Sequence, residues 1–276
     1  MMRMQHAGNA QLQDLARGIR QDVVTMAAQG FASHVGSGLS MVDILTYLYW
    51  NGLNVDPQQW ECEDRDIFIL SKGHGSAALY ATLANAGFFP RERLSEYYAD
   101  GGFLPGHPVW RCVPGVEATT GSLGHGLALA VGQAIGQKMK GSSCRTVVLL
   151  GDGECNEGSV WEAAMYASKC RIANLIAFVD CNDLQGLGLV REVSSLYPLR
   201  EKWASFGWRV HEVDGHDFVE IDRAYSEAVP ETDGPTVILA KTVKGKGVSF
   251  MENKLEWHYK SPSTDQLRQA IEELTS

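Results

Sequence analysis

Apolar and polar residues divide the chain into alternating helices and strands. Residues 146–150 form an apolar run that ends in Gly151-Asp152-Gly153. An amphipathic stretch follows, and a second apolar run, residues 175–179, ends in Asp180-Cys181-Asn182. This reads as strand, helix, strand. Such a unit is almost always right-handed and lays its strands parallel in one sheet. Upstream, Leu12, Leu15, Ile19, Val23 and Met26 recur at helical spacing and predict an amphipathic helix over 11–29. The small residues of 33–38 predict a loop, with Ser40 as the cap of a second helix over 41–51. Residues 66–70 predict a strand that delivers Ser71-Lys72-Gly73-His74-Gly75 to a helix ending at Ala86. A helix is predicted over 90–98 and irregular chain over the Gly- and Pro-rich 101–120. An Ala/Gly/Leu-rich helix over 122–139 is apolar enough to be mostly buried. Beyond the central unit come a loop over 182–195 and strands over 208–213 and 236–240, with a helix over 218–229 between them. A polar, aromatic loop over 244–260 and a closing helix over 264–274 follow. The alternation predicts a single α/β domain whose parallel sheet is covered by helices on both faces.

That topology limits where chemistry can sit. Asp152 and Asn182 fall just past the carboxyl ends of neighbouring strands, the edge along which open α/β sheets bind ligands. A carboxylate and an amide carbonyl are hard oxygen ligands, suited to Mg²⁺ carrying a diphosphate. The glycines around Asp152 let the backbone approach phosphate, and the following helix offers free N–H groups. The bland reading of the same residues is a tight strand-to-helix turn and an unrelated Asn in the next loop. His34, His74, His107 and His258 lie in glycine-rich or polar loops. A lone loop histidine is ordinarily a surface or structural residue. His74, however, follows a predicted strand and shares the edge with Asp152 and Asn182. Imidazoles there can donate to phosphate oxygens and move protons near neutral pH.

Composition narrows the function classes. The 276-residue chain carries a formal net charge of −9 and has no Lys/Arg run, which argues against nucleic acid or an anionic membrane as partner. Its six cysteines form no CxxC pair, so reduced thiols are expected rather than zinc or a disulfide scaffold. No apolar run approaches membrane length, and residues 1–10 lack the apolar core of a signal peptide; a cytoplasmic location is the expectation.

The segments LSKGHGSAALYATLANAGFF, GHP, PGVEATTGSLGHGLALAVGQA, GDGECNEGSVWEA and KTVKGKGVSFMENKLEWH cover nearly the whole chain. In order and content they resemble the successive blocks of the transketolase family, with the GDG…Asn pair of a thiamine diphosphate motif at their centre. The resemblance is to the amino-terminal, diphosphate-binding domain, here residues 1–276, and implies the thiamine-diphosphate-binding fold. It implies Mg²⁺ (or Ca²⁺ or Mn²⁺ in its place) held by the side chains of Asp152 and Asn182 and the backbone carbonyl of Leu184. Gly153 would donate its N–H to the diphosphate, and His74 and His258 would contact diphosphate oxygens, His258 also near the reacting centre. His34 and His107 would contact substrate hydroxyls and assist proton transfer. Gly121, Leu123 and Gly124 would line the middle of the cofactor. Glu157 matches a carboxylate buried at the subunit contact; its alternative is a helix N-terminal acid favoured by the dipole.

Long transketolases usually have His-Pro-Gly at His34-Val35-Gly36, Pro at Ser122 and Gln at His125, and a different sequence at Leu184-Gln185-Gly186. These departures leave the metal set intact and the preferred sugar open. His216, in VDGHD, has a weaker functional claim, and His6, His125 and His211 read as structural or surface residues. Full-length members continue into a pyrimidine-binding domain, which carries the glutamate that activates the cofactor, and a carboxyl-terminal domain. No segment here matches either. The resemblance therefore implies the N-terminal subunit of a split transketolase, which moves a two-carbon ketol unit from a ketose (phosphate) to an aldose (phosphate) with a separate C-terminal subunit. An α2β2 assembly is the expected form. Alternatives are the α subunit of a 2-oxo-acid dehydrogenase, a deoxyxylulose-phosphate-synthase type chain, or a non-catalytic chain that binds cofactor or stabilises a partner.

Overall fold

The computed structural model describes residues 6–229 and 233–275. Residues 1–5, at the head of the stretch read as lacking a leader core, lie outside the described residues. In chain order the elements are α1 (Asn9–Gln29), α2 (Val35–Ser40), α3 (Val42–Tyr47), β1 (Ile67–Leu70), α4 (Ser76–Asn85), α5 (His125–Met139), β2 (Thr146–Gly151), α6 (Gly158–Lys169) and β3 (Leu175–Cys181). A small hairpin of β4 (Leu184–Gln185) and β5 (Gly188–Leu189) follows. Then come α7 (Val190–Val193), α8 (Leu199–Ser205), β6 (Arg209–Asp214), α9 (Phe218–Ala228), β7 (Thr236–Lys241) and α10 (Thr264–Thr275).

The five long strands form one parallel sheet in the order β1-β2-β3-β7-β6. Successive side chains point to opposite faces. Val147, Leu149, Ile176, Phe178 and Ile238 enter one core with residues of α1, α3, α4 and α9, while Val148, Leu150, Ala177, Val179 and Val237 enter a second with α5, α6 and α8. Burial on both faces explains why these strands read as unbroken apolar runs. Gly151 pairs with Asp180 and Asp180 with Ala240, so the central strands finish level. Their carboxyl ends, with those of β1 and β6, deliver Lys72, Asp152, Asn182, Lys244 and His216 to a single edge. No helix among the described residues is long and apolar enough to cross a membrane, and the six cysteines are free.

Several predicted boundaries shift for identifiable reasons. The run of small residues expected as a loop is helical from Val35, because its glycines serve packing: a Cβ at Gly38 would sit 3.3 Å from Val23 Cγ1, and one at Gly36 3.2 Å from Lys244 Cγ. Ser40 is accordingly not a helix cap; its hydroxyl donates to Asp180 at 2.6 Å. Residues Arg91–Glu96 form a 3-10 turn rather than a longer helix, and Tyr97 bridges to Leu104. α5 starts at His125, not 122, since Gly124 before it takes φ +85°. Nor is α5 mostly buried: His125, Ala128, Leu129, Gly132 and Gln133 form an exposed face. The loop over 182–195 contains the β4–β5 hairpin and α7, and α8 has no counterpart among the predicted elements.

Candidate active site at the strand-end edge

Four histidines predicted from separate loops meet at this edge. The ring centroids of His34 and His74 are 5.1 Å apart, His34 and His258 5.0 Å, His74 and His258 5.6 Å, and His34 and His107 6.4 Å. His34 takes φ +69° as the residue before α2, its N–H donating to the His258 carbonyl at 3.0 Å, while Ser33 Oγ lies 2.8 Å from its Nδ1. His107 packs on Gly121 (φ +142°), where a Cβ would come within 2.9 Å of the ring. Gly124 is buried and Leu123 partly exposed beside it.

The predicted metal residues come from the βαβ unit. Asp152 is buried, and its carboxylate accepts from the N–H of Gly153 at 2.7 Å and of Asp183 at 2.6 Å. Asn182 donates its amide to Asp180 at 3.1 Å, which turns its Oδ1 the other way, towards the Leu184 N–H at 3.1 Å. The Leu184 carbonyl accepts from Lys244 Nζ at 3.0 Å. A Cβ on Gly153 would lie 2.8 Å from Gln185 Cβ, so this position has no room for a side chain. Among the described residues no three His, Cys, Asp or Glu side chains gather to hold a metal. A cation here would instead use one carboxylate, one amide and one carbonyl, a hard-oxygen set suited to Mg²⁺.

Electrostatics favour both charged guests. Burial, then the nearby Asp180 carboxylate, pushes Asp152 up to about 6, a strain that a bound cation relieves. Burial lowers His34 to about 4 and His258 to about 3, with added repulsion from His107 and Lys244 on the first and from Lys244 and His34 on the second. Burial and Lys72 hold His74 well below its ordinary value, and burial lowers His107. Lys244 is wholly buried, and burial with Lys72 lowers it to about 8. The cluster thus consists of neutral imidazoles and an ammonium packed close together, donors that an added anion would stabilise.

The sequence reading misses the residues that brace this edge. Asp180 is buried under Lys72, Ser40, Thr242 and Asn182. Burial alone would raise its carboxyl, but the charge of Lys72 and the hydrogen bonds hold it low. Lys244 Nζ also lies 2.8 Å from His258 Nδ1. Glu154 accepts from Ser71 Oγ at 2.5 Å, Gly124 N–H at 2.9 Å and Gly151 N–H at 3.1 Å, tying β1, α5 and β2 together. Glu157, expected to be buried at the subunit contact, is exposed in the single chain at the start of α6; Glu154 is the acid of that segment buried within the chain. An acid at a helix start reads as dipole-favoured surface, so no sequence signal separates the two.

The histidines make a pH dependence. Neutral when folded and chargeable when unfolded, His34, His74 and His258 let the unfolded chain bind more protons as pH falls from 6.5 towards about 4. Asp152, raised to about 6, and Glu154, also held above its free value, work in the opposite direction over most of that window. The histidines outnumber them, so the thermal midpoint should fall between about pH 7 and about pH 5, and His258→Asn should flatten the slope. A midpoint that rises on acidification would contradict these environments.

Fold and edge together define an open parallel α/β domain whose strand-end edge gathers imidazoles, a buried ammonium and hard-oxygen groups. Residues 9–275 match the family model described as transketolase, thiamine diphosphate binding domain, and the chain belongs to that family. It is 44% identical to the A-subunit of the apulose-4-phosphate transketolase of Actinobacillus succinogenes over 96% of both chains. It is 41% identical to the 6-deoxy-6-sulfo-D-fructose transketolase subunit SqwG of Clostridium sp. over 95% of this chain and 96% of that one. The transketolase of Campylobacter jejuni superposes with a TM-score of 0.90 at 29% identity, covering 98% of this chain and 43% of the other. The chain thus spans less than half the length of that transketolase and nearly all of the two separate-subunit relatives.

Proposed function

We propose that this chain is the diphosphate-binding subunit of a two-subunit, Mg²⁺-dependent transketolase. It would move a two-carbon ketol unit from a ketose, phosphorylated or not, to an aldose. The observation that carries this reading is the convergence of Asp152, Asn182 and the Leu184 carbonyl with His34, His74, His107 and His258 at one strand-end edge. Asp152, Asn182 and Leu184 would hold the cation. His74, His258, Lys244 and the Gly153 N–H would hold the diphosphate, and Gly121, Leu123 and Gly124 the middle of the cofactor. Thiamine diphosphate bound there supplies the carbanion chemistry. His34 and His107, neutral and facing the same space, are suited to accept or donate protons at sugar hydroxyls.

The partner is inferred from the subunit naming of the relatives and from what the chain exposes. The carboxylate that activates the aminopyrimidine belongs to the pyrimidine-binding domain of long transketolases, and the relatives that this chain matches over nearly their whole length are named as subunits. A separate C-terminal subunit would supply it. Leu129, Met139, Met165 and Tyr166 are exposed on α5 and α6, which pack together, and they form the face for self-association into an α2β2 form with Glu157 at its edge. The free cysteines suit a cytoplasmic setting.

The test is substrate choice by the complex reconstituted with its C-terminal subunit. Given thiamine diphosphate and Mg²⁺, it should transfer two carbons from a ketose phosphate to an aldose phosphate. Decarboxylation of 2-oxo acids without ketol transfer would overturn the assignment in favour of the dehydrogenase type.

A further inference from the structure

His216 is not part of the site described above, yet both of its ring nitrogens are engaged. Nε2 accepts from the Val243 backbone N–H at 2.9 Å. That nitrogen therefore carries no proton, and the proton of the neutral ring sits on Nδ1, 2.6 Å from Asp43 Oδ2. Asp43 is in turn held by Arg20 Nη1 at 3.1 Å and Nη2 at 2.5 Å. A chain of contacts thus runs from α1 through α3 and the turn after β6 to the segment after β7. Side-chain exposure along it is 9% for Arg20, 7% for Asp43 and 12% for His216, so solvent screens these contacts little.

The anchored segment is the one that carries Lys244. On the far side of Lys244, the Gly245 N–H donates to the Gly36 carbonyl at 3.0 Å, and Gly245 itself takes φ +79°. Thr242, on the near side, donates to Asp180. Lys244 is thereby fixed before and behind, with its Nζ between the Leu184 carbonyl and His258. The Val243 anchor adds a tie across to the turn after β6 and to α3.

We propose that His216 is a positioning residue: as a tautomer-fixed bridge between Asp43 and the Val243 N–H, it sets where Lys244 meets the diphosphate. This rests on the functional reading above. A bridge of this kind acts on affinity for the charged end of the cofactor and not on the chemical step. Outer contacts that orient ligating groups typically matter by about 10–100-fold in affinity.

Two substitutions separate the two bonds. His216→Gln keeps an acceptor at the distance of Nε2 and gives up the donor to Asp43. His216→Asn keeps a donor near Nδ1 and gives up the acceptor for Val243. In the complex with the C-terminal subunit, calorimetry should show His216→Asn weakening thiamine diphosphate with Mg²⁺ by about 10-fold or more. His216→Gln should recover most of that loss, and kcat at saturating cofactor should change by less than about twofold in both. Amide exchange at Val243 in the full chain without cofactor should speed up in His216→Asn and stay slow in His216→Gln. Wild-type affinity in His216→Asn, or equal losses in both variants, would overturn the proposal. A wild-type complex that binds no cofactor refutes the functional reading and, with it, the role towards the diphosphate. Val243 exchange would then report whether the bridge itself exists.

Discussion

Asp152→Ala should abolish Mg²⁺-dependent binding of thiamine diphosphate and leave the fold in place. Asp152 is the carboxylate of the proposed cation set, and it is buried where desolvation and Asp180 already disfavour its charge. A group held in that state gains little for the empty protein and much once a cation arrives. Removing one partner of a buried charge pair costs about 2–5 kcal/mol, which is a loss of at least about 30-fold in affinity. Asp152→Asn keeps the shape but has a single acceptor oxygen, so it gives up the charge together with one of the two bonds from Gly153 and Asp183; it should lose most of the affinity too. Titration calorimetry of both variants with the partner subunit present, beside circular dichroism for the fold, checks this. Unchanged affinity in Asp152→Asn would remove Asp152 from the cation set.

His107→Ala should damage turnover far more than cofactor binding. The His107 ring rests on Gly121 and faces His34 at 6.4 Å. Lowered by burial, it is neutral at physiological pH and able to take or give a proton. A positioned imidazole in that role is worth about 10²–10⁴-fold in rate. Steady-state kinetics of the reconstituted complex should therefore show kcat/KM falling by about that factor, with the apparent affinity for thiamine diphosphate within about threefold of wild type. A complex that turns over normally with His107→Ala would exclude the residue from proton transfer.

The parts of this account that are legible in the sequence are those written in local patterns. The two apolar runs around Asp152 and Asn182 define the βαβ unit, and with it the edge on which both residues stand. His74 is placed on that edge because it directly follows a strand. His34, His107 and His258 join the site only through the family resemblance, since nothing in their loops tells which of them meet. Lys244, Glu154 and Asp180 escape a sequence reading for the opposite reason. Their neighbours in sequence suggest solvent or a strand end, and their roles come from partners such as Ser40, 140 positions away from Asp180, and Ser71, 83 from Glu154. α2 reads as a loop because its glycines and serines are weak helix formers, and tight packing against Val23, Lys244 and Trp257 outweighs that preference. Glu157 is matched by position alone, and burial is a property of the assembly that position does not carry.

The central claim is that this chain holds one half of an active site. The most direct test is ketol transfer by the purified chain with saturating thiamine diphosphate and Mg²⁺, measured before and after addition of the C-terminal subunit. We expect no turnover from the chain alone and activity that rises with added partner to a fixed stoichiometric ratio. Turnover by the isolated chain, or no activity at any ratio with a folded partner, would contradict the account.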